Sequence, residues 1–303
     1  MRAVFGDMAL TKNFWNKFID LELKDDAGAG VTHAKIQCPK FGQKPDIEIN
    51  AELTAADTLA ALNVTVRSLY IDELGKNIKK AIVKAGYRDG EKTEWEGSVS
   101  EFYTSEPGPD KATVIQCNMG HIADWTRQGA DVSVDAGGSL EDAVKALSNS
   151  LGLDDPKIQG DAGSQKLDAG FQFNGEAREA VQKLKRFFPE TTILIQGKRL
   201  VVFKNKDDKG DGAAPIEIDV LTSPPQLLGG KDGTSAVVTA PWNPKIVCGS
   251  VVSFPSKFYQ STGLVRSAQP DTKMRVNFIS IHFSTVKNIN KMVLRGVVLQ
   301  GGN

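Results

Sequence analysis

Residues 62–117 run LNVTVRSLYIDELGKNIKKAIVKAGYRDGEKTEWEGSVSEFYTSEPGPDKATVIQC. In Leu62-Asn63-Val64-Thr65-Val66-Arg67 apolar and polar side chains alternate, the period of a pleated strand with one face in a core and the other in water. Ile71, Leu74 and Ile78 are spaced for a short helix, and Ala81, Val83 and Ala85 return to alternation on the way to Gly86-Tyr87. Trp95 to Phe102 and Ala112 to Cys117 read as two more strands, separated by a run of turn formers, TSEPGPD. This stretch predicts a small antiparallel barrel or sandwich.

Upstream, Ile47-Glu48-Ile49-Asn50 alternates in the same way, and DDAGAG and CPKFGQKP read as loops. Downstream the period changes. In SLEDAVKALSNSLG, residues 139–152, Leu140, Ala143, Val144, Leu147 and Leu151 share one helical face. Ser139 is placed to cap that helix with Asp142 three residues on, and Gly152 to end it. A second helix is expected from an Asn174 cap through Val181, Leu184 and Phe188 to Pro189. Its Glu176 and Glu179 come early and its Lys183, Lys185 and Arg186 late, the order that complements the helix dipole. TTILIQGKRLVVF then reads as a hairpin turning at Gln196-Gly197-Lys198, followed by a polar loop, NKDDKGDGAAP. Ile246 to Phe254, Met274 to Phe283 and Met292 to Leu299 are the last predicted strands.

The expected fold is therefore mainly β with a helical insertion (α+β), as two small β-barrel-like domains linked by a two-helix segment. The expected limits are 1–136 for the first domain, 137–190 for the helices, and 191–303 for the hairpin and second domain. A chain of 303 residues is long enough for two cores. Apolar residues at 40% and charged residues at 24% match an ordinary globular composition, and 29 glycines fit many tight turns.

Thirty-seven basic residues against thirty-seven acidic ones remove the overall attraction to phosphate on which nucleic-acid binders rely. Cys38, Cys117 and Cys248 are odd in number and widely spaced, so neither a disulfide framework nor a zinc site is expected, and assembly in a reducing cytoplasm fits. The N-terminal residues show no long apolar run and no window reaches a membrane span, so neither export nor a membrane crossing is expected.

Reactive groups are few. His33, His121 and His282 lie in no HExxH string, and neither a GxSxG elbow nor a phosphate-binding loop occurs. Gly28 and Gly30 open a dinucleotide fingerprint that His33 breaks. Gly137 and Gly138 precede a helix N-terminus, where an anion would bind, but read as an ordinary loop leading into the helix. Asn205, Asp207, Asp208 and Asp211 are spaced for calcium, yet Lys209 and Ile216 occupy the fifth and twelfth loop positions where ligands are needed. Lys79-Lys80 and Lys183 to Arg186 read as wetted faces. No catalytic, cofactor-binding or metal-binding residue is assigned, and no cofactor is expected.

The order of these segments resembles the baseplate hub proteins of contractile-tailed phages, themselves similar to phage late-control proteins and to the N-terminal part of type VI secretion spike proteins. Residues 62–117 carry the resemblance furthest, through the strand ending in Ala85-Gly86-Tyr87 and the Trp95-Glu96-Gly97 strand. SLEDAVKALSNSLGL, GFQFNGEAREAVQKLKRFFPETTILIQGKRLVVF, LTSPPQLLGG, WNPKIVCGSVVSF and SIHFSTVKNINKMVLRGVV follow in the family's order. The first ~60 residues match only in strand character, and the catalytic fusions of some spike proteins have no counterpart.

The resemblance implies a non-enzymatic virion protein of the tail baseplate, assembled in the host cytoplasm. In such a family three chains of two barrels each form a ring that adapts a hexameric tail tube to a trimeric spike and lines the path of DNA. The implied partners are further copies of the chain, the tail tube, the central spike, the tape-measure protein and other baseplate proteins. Two other readings stay open: a tail-associated carbohydrate-binding or cell-wall-degrading module, with Trp95, Trp125 and Trp242 as stacking platforms, and a six-fold tube or tail-terminator protein.

Overall fold

The structure, a computed structural model, describes residues 17–25, 32–38, 46–54, 60–67, 78–87, 90–105, 112–119, 128–196, 199–205, 214–230, 233–255, 258–261, 264–267, 272–285 and 289–299. Among the described residues the chain is mainly β, with two α-helices. Seven strands come first: β1 (Lys17–Lys24), β2 (Thr32–Cys38), β3 (Asp46–Thr54), β4 (Ala60–Arg67), β5 (Lys80–Tyr87), β6 (Lys92–Ser105) and β7 (Ala112–Met119). The helical part holds β8 (Gly129–Val134), α1 (Leu140–Ser150), β9 (Asp154–Ile158), β10 (Phe171–Glu176), α2 (Ala177–Phe187), β11 (Thr191–Gln196) and β12 (Arg199–Lys204). The remainder is β13 (Ile216–Glu217), β14 (Gln226–Gly230), β15 (Gly233–Ala240), β16 (Val251–Phe254), β17 (Phe258–Ser261), β18 (Leu264–Ser267), β19 (Thr272–Ser284) and β20 (Asn290–Leu299).

One sheet carries most of these strands, in the order β14-β15-β20-β19-β3-β4-β7-β6-β5-β1-β2, with β16 on β19 and β13 on β16. The path contains the same arrangement twice. In β3-β4-β7-β6-β5 a hairpin is followed by an excursion strand and a second hairpin laid down in reverse, and the excursion strand pairs with the first strand of that second hairpin. β14-β15-β20-β19-β16 repeats this order, with the β17–β18 hairpin interposed in the chain. The corresponding long strands share a further detail, a bulge between Val99 and Glu101 in β6 and between Val276 and Phe278 in β19.

β19 joins the two arrangements. Along one edge its residues 272–275 pair with β16 and its residues 278–284 pair with β3, the bulge marking the change of partner. The sheet also curls: Lys17 Nζ on β1 donates to the carbonyls of Ser284 (3.3 Å) and Ile289 (3.0 Å) at the end of β19. Among the described residues the strands form one curled sheet whose pairing does not close into a ring.

Alternation places the core. Ile19, Leu21, Ile47, Ile49, Leu62, Val64 and Val83 share a single cluster with Val238, Met274, Ile279, Ile281 and Leu294, so strands from both ends of the chain bury one continuous apolar interior. A second cluster belongs to the helical part, where Leu140, Val144, Leu147, Val181 and Leu184 pack against Ile193, Ile195, Leu200 and Val202. The hairpin β11–β12 therefore lies with the helices, and β9 pairs parallel to β12.

α1 begins as expected: Ser139 Oγ accepts from the Asp142 N–H at 3.1 Å, and Asp142 Oδ2 accepts from the Ser139 N–H at 2.8 Å. α2 starts later than the Asn174 cap predicted. Phe171–Glu176 is held extended by its ladder to β8, and that pairing overrides the local capping preference of Asn174 until Ala177. The strand expected over Ile246 to Phe254 shortens to β16, because residues 246–250 form turns closed by Ser250 N–H to the Val247 carbonyl and by the Ser250 hydroxyl on the Val247 N–H.

Candidate assembly surfaces

The side of the sheet that faces away from the core divides into two chemistries. Over β1, β5 and β6 it carries ion pairs across and along strands, Lys84 to Glu94 at 2.9 Å, Lys24 to Glu22 at 3.4 Å, and Lys80 to Glu96. The Glu94 hydrogen bond and charge hold the Lys84 ammonium above its usual range. Over β19, β3, β4 and β7 the outward positions include Ser280, Asn50, Asn63, Thr65, Gln116 and Asn118, neutral polar groups, together with Val114 and the exposed carboxylate Glu52. Several charges in that region are engaged. Glu48 lies 2.7 Å from His282 Nε2 and 3.7 Å from Arg67, and Arg295 stacks over the Phe278 ring at 5.0 Å.

Among the described residues the exposed large apolar side chains are Tyr103 on β6, Leu227 and Leu228 on β14, Phe187 at the end of α2, and Val220. Leu227 and Leu228 occupy one terminal strand of the sheet path, an edge whose outer backbone groups no described strand pairs.

A cavity of about 360 Å³ opens beside Tyr87, Glu91, Glu217, Trp242 and Met292. Its floor is structural. Trp242 is buried, stacks on Trp95 at 5.5 Å and meets Phe283 edge-on at 4.7 Å. The Tyr87 hydroxyl lies 2.8 Å from the Trp242 carbonyl and 3.0 Å from Asn290 Oδ1, and burial pushes the phenol above its ordinary range. Trp95 and Trp242 thus fill a core rather than offering a flat platform, and Trp125 lies outside the described residues.

The other residues weighed from sequence are placed as follows. His282 pairs with Glu48 on the face directed away from the core, His33 lies on β2, and His121 is outside the described residues. Gly137 and Gly138 spend their N–H groups on the carbonyls of Leu167 and Asp135. Asn205 accepts from the Thr192 hydroxyl at 2.6 Å, while Asp207, Asp208 and Asp211 lie outside the described residues. Cys117 and Cys248 are buried thiols, each pushed up to about 12 by desolvation. Among the described residues no three His, Cys, Asp or Glu side chains converge as metal ligands. Lys183, read as a wetted face, lies over the Phe171 and Phe173 rings at 5.4 and 5.8 Å.

Comparison of the whole chain with solved structures adds the last observation. A 43 kDa tail protein of prophage MuSo2 from Shewanella oneidensis matches with a TM-score of 0.53 at 12% identity, covering 92% of this chain and 96% of that one. The chain has a phage tail-protein fold. A tail protein from Neisseria meningitidis MC58 matches at 0.51 and 8% identity, covering 94% and 97%. An E. coli component of the type VI secretion system, described as structurally similar to the T4 bacteriophage tail proteins gp27 and gp5, matches at 0.53 and 7% identity, covering 86% and 76%. No family model matches the sequence. No curated protein matches it either. The tail-protein fold spans both copies of the five-strand arrangement and the helical part between them, since the match covers nearly the whole chain.

The sequence showed the strands of this surface but not its edges. Tyr103 lies in Phe102-Tyr103-Thr104 and Leu227 and Leu228 are neighbours in PPQLLGG, with no alternation to mark an edge, and only the sheet order reveals which strands end it.

Proposed function

We propose that the chain is a structural, non-enzymatic hub protein of a phage tail baseplate. Three copies close a ring that adapts a six-fold tail tube to a three-fold central spike and lines the conduit for DNA. The observation that carries this reading is the five-strand arrangement present twice in one chain and joined by β19. Each arrangement acts as a small barrel-like module. Two like modules per chain become six around a three-fold axis, so a six-fold tube meets six similar surfaces while the ring keeps the symmetry of the spike.

The dimensions support a conduit. Eight strands, β14 to β6 along the path, present one continuous face directed away from the core. With neighbouring strands about 4.8 Å apart, three such faces set edge to edge give a circumference of about 115 Å and a backbone diameter of about 37 Å. A β19-β3-β4-β7 wall of amides, hydroxyls and the acidic Glu52 suits a passing polyanion, because unpaired Lys and Arg would bind phosphates and displace their counterions. Partners on this reading are the tail tube, spike, tape-measure and other baseplate proteins. The site of action is the tail tip of the virion.

Mass photometry of the purified chain, alone and mixed with the spike protein from the same tail, tests the reading. A particle of three chain masses that binds the spike is expected. A monomer that binds no tail component would contradict it.

A further inference from the structure

The joint between the two modules inside one chain also specifies the joint between chains. Superimposing the repeated strand orders through their bulges makes β6 the counterpart of β19, with Tyr103 at the position of Ser280 and Thr104 at that of Ile281. It makes β14 the counterpart of β3, with Leu228 at the position of Glu52 and Leu227 at that of Ala51. β19 uses the stretch after its bulge to pair with β3, including Ser280 opposite Glu52 and Ile281 opposite Ala51. The equivalent stretch of β6, Glu101 to Ser105, has no strand on that edge among the described residues, since β5 pairs only as far as Ser98.

We infer that β14 of one copy adds antiparallel to residues 101–105 of β6 in the next copy, with Tyr103 directly opposite Leu228 and Thr104 opposite Leu227. This rests on the ring proposed above and names its contact. Among the described residues, three of the five exposed large apolar side chains fall on these two edges: Tyr103 is 40% exposed, Leu227 49% and Leu228 51%. Transferring the register places Tyr103 against Leu228 with no adjustment, and Leu227 against Thr104 on the other face. Gly229 falls opposite Phe102, and the space beside it is open, since a Cβ there would meet nothing within 4 Å. The contact is head-to-tail, using a different edge on each partner, which is the type that closes a ring. Main-chain hydrogen bonds would supply affinity and the Tyr103–Leu228 pair would fix register.

Cysteine trapping reads this contact directly. Residues directly opposite on antiparallel strands have Cβ atoms about 4.5–5.5 Å apart, close to the range a disulfide spans. Full-length Tyr103→Cys and Leu228→Cys chains are prepared separately, mixed and mildly oxidised. The mixture is expected to cross-link at least ten-fold more than either chain alone, the single-variant samples reporting any background from Cys38. Both substitutions in one chain are expected to give covalent species ending at three chains. Pairing Tyr103→Cys with Leu227→Cys places the thiols on opposite faces and is expected to lose the signal. Leu228→Lys, on an exposed edge, is expected to keep the unfolding midpoint and weaken self-association at least ten-fold. If the wild-type chain assembles but the mixture does not cross-link and Leu228→Lys assembles normally, this joint is wrong and the ring stands. If the wild-type chain stays monomeric and nothing cross-links, both are wrong.

Discussion

Arg275 on β19 donates from Nη1 to Gln159 Oε1 at 2.9 Å, so a buried guanidinium ties the large sheet to the helical part of the chain. The same nitrogen donates to the Gly249 carbonyl at 3.0 Å, and the guanidinium lies over the Phe203 ring at 5.2 Å. Phe203 leaves no room at Gly249, where a Cβ would come within 2.8 Å of its ring. Truncating a buried charge partner strands polar groups in the interior, so Arg275→Ala is expected to cost about 3 kcal/mol and Gln159→Ala about 1 to 2. Urea unfolding checks both, and the double variant should show a coupling of about 1 kcal/mol.

Gly296 faces the bulge of β19. A Cβ there would lie 2.0 Å from the Arg275 carbonyl oxygen and 2.7 Å from Met274 Cγ. The backbone oxygen cannot move without breaking the β19–β20 register, so Gly296→Ala is expected to destabilise the chain by about 3 kcal/mol or more. A lowered urea midpoint, or failure to fold soluble protein at 37 °C, is the readout.

The two buried thiols give the chain an alkaline limit. Cys117 and Cys248 are pushed up to about 12 from an unfolded value of 9.0, because burial penalises the thiolate. Below pH 9 both states hold the proton and nothing changes. Above it the unfolded chain releases protons that the folded chain retains, so stability falls through the window from pH 9 to about 12. The slope is up to about 1.4 kcal/mol per pH unit for each thiol. Lys17, pushed down by its burial, acts in the opposite sense. Comparing wild type with Cys117→Ala and Cys248→Ala across pH 8 to 11 removes that contribution, and each variant should show a shallower decline.

Ser139→Ala removes the hydroxyl that accepts from the Asp142 N–H and is expected to cost about 1 kcal/mol. The Ser139 hydrogen bonds also hold the Asp142 carboxyl below its usual range. The cap therefore weakens as pH falls through that lowered value, and the gap between wild type and Ser139→Ala should narrow in acid.

How much of this was legible in the sequence depends on the range of the interactions. Local signals read true where local forces decide. The capping box at Ser139, the hairpin of β11 and β12, and the alternation in β4 and β5 are set by neighbours a few residues apart. Asn174 misled because pairing with β8, some forty residues earlier in the chain, outweighs a capping preference. The repeated strand order, the shared core and the open edges at β6 and β14 depend on contacts such as Phe283 with Ile49, which no period in the sequence encodes. The short helix expected at Ile71 to Ile78 lies mostly outside the described residues.

Determining the stoichiometry and symmetry of the purified protein bound to its spike, by cryo-electron microscopy of the isolated tail tip, tests the hub most directly. Three copies are expected, with six similar modules around an open channel walled by Asn50, Asn63 and Gln116. A single copy, a six-copy ring or a channel formed by the Lys84–Glu94 face would contradict it.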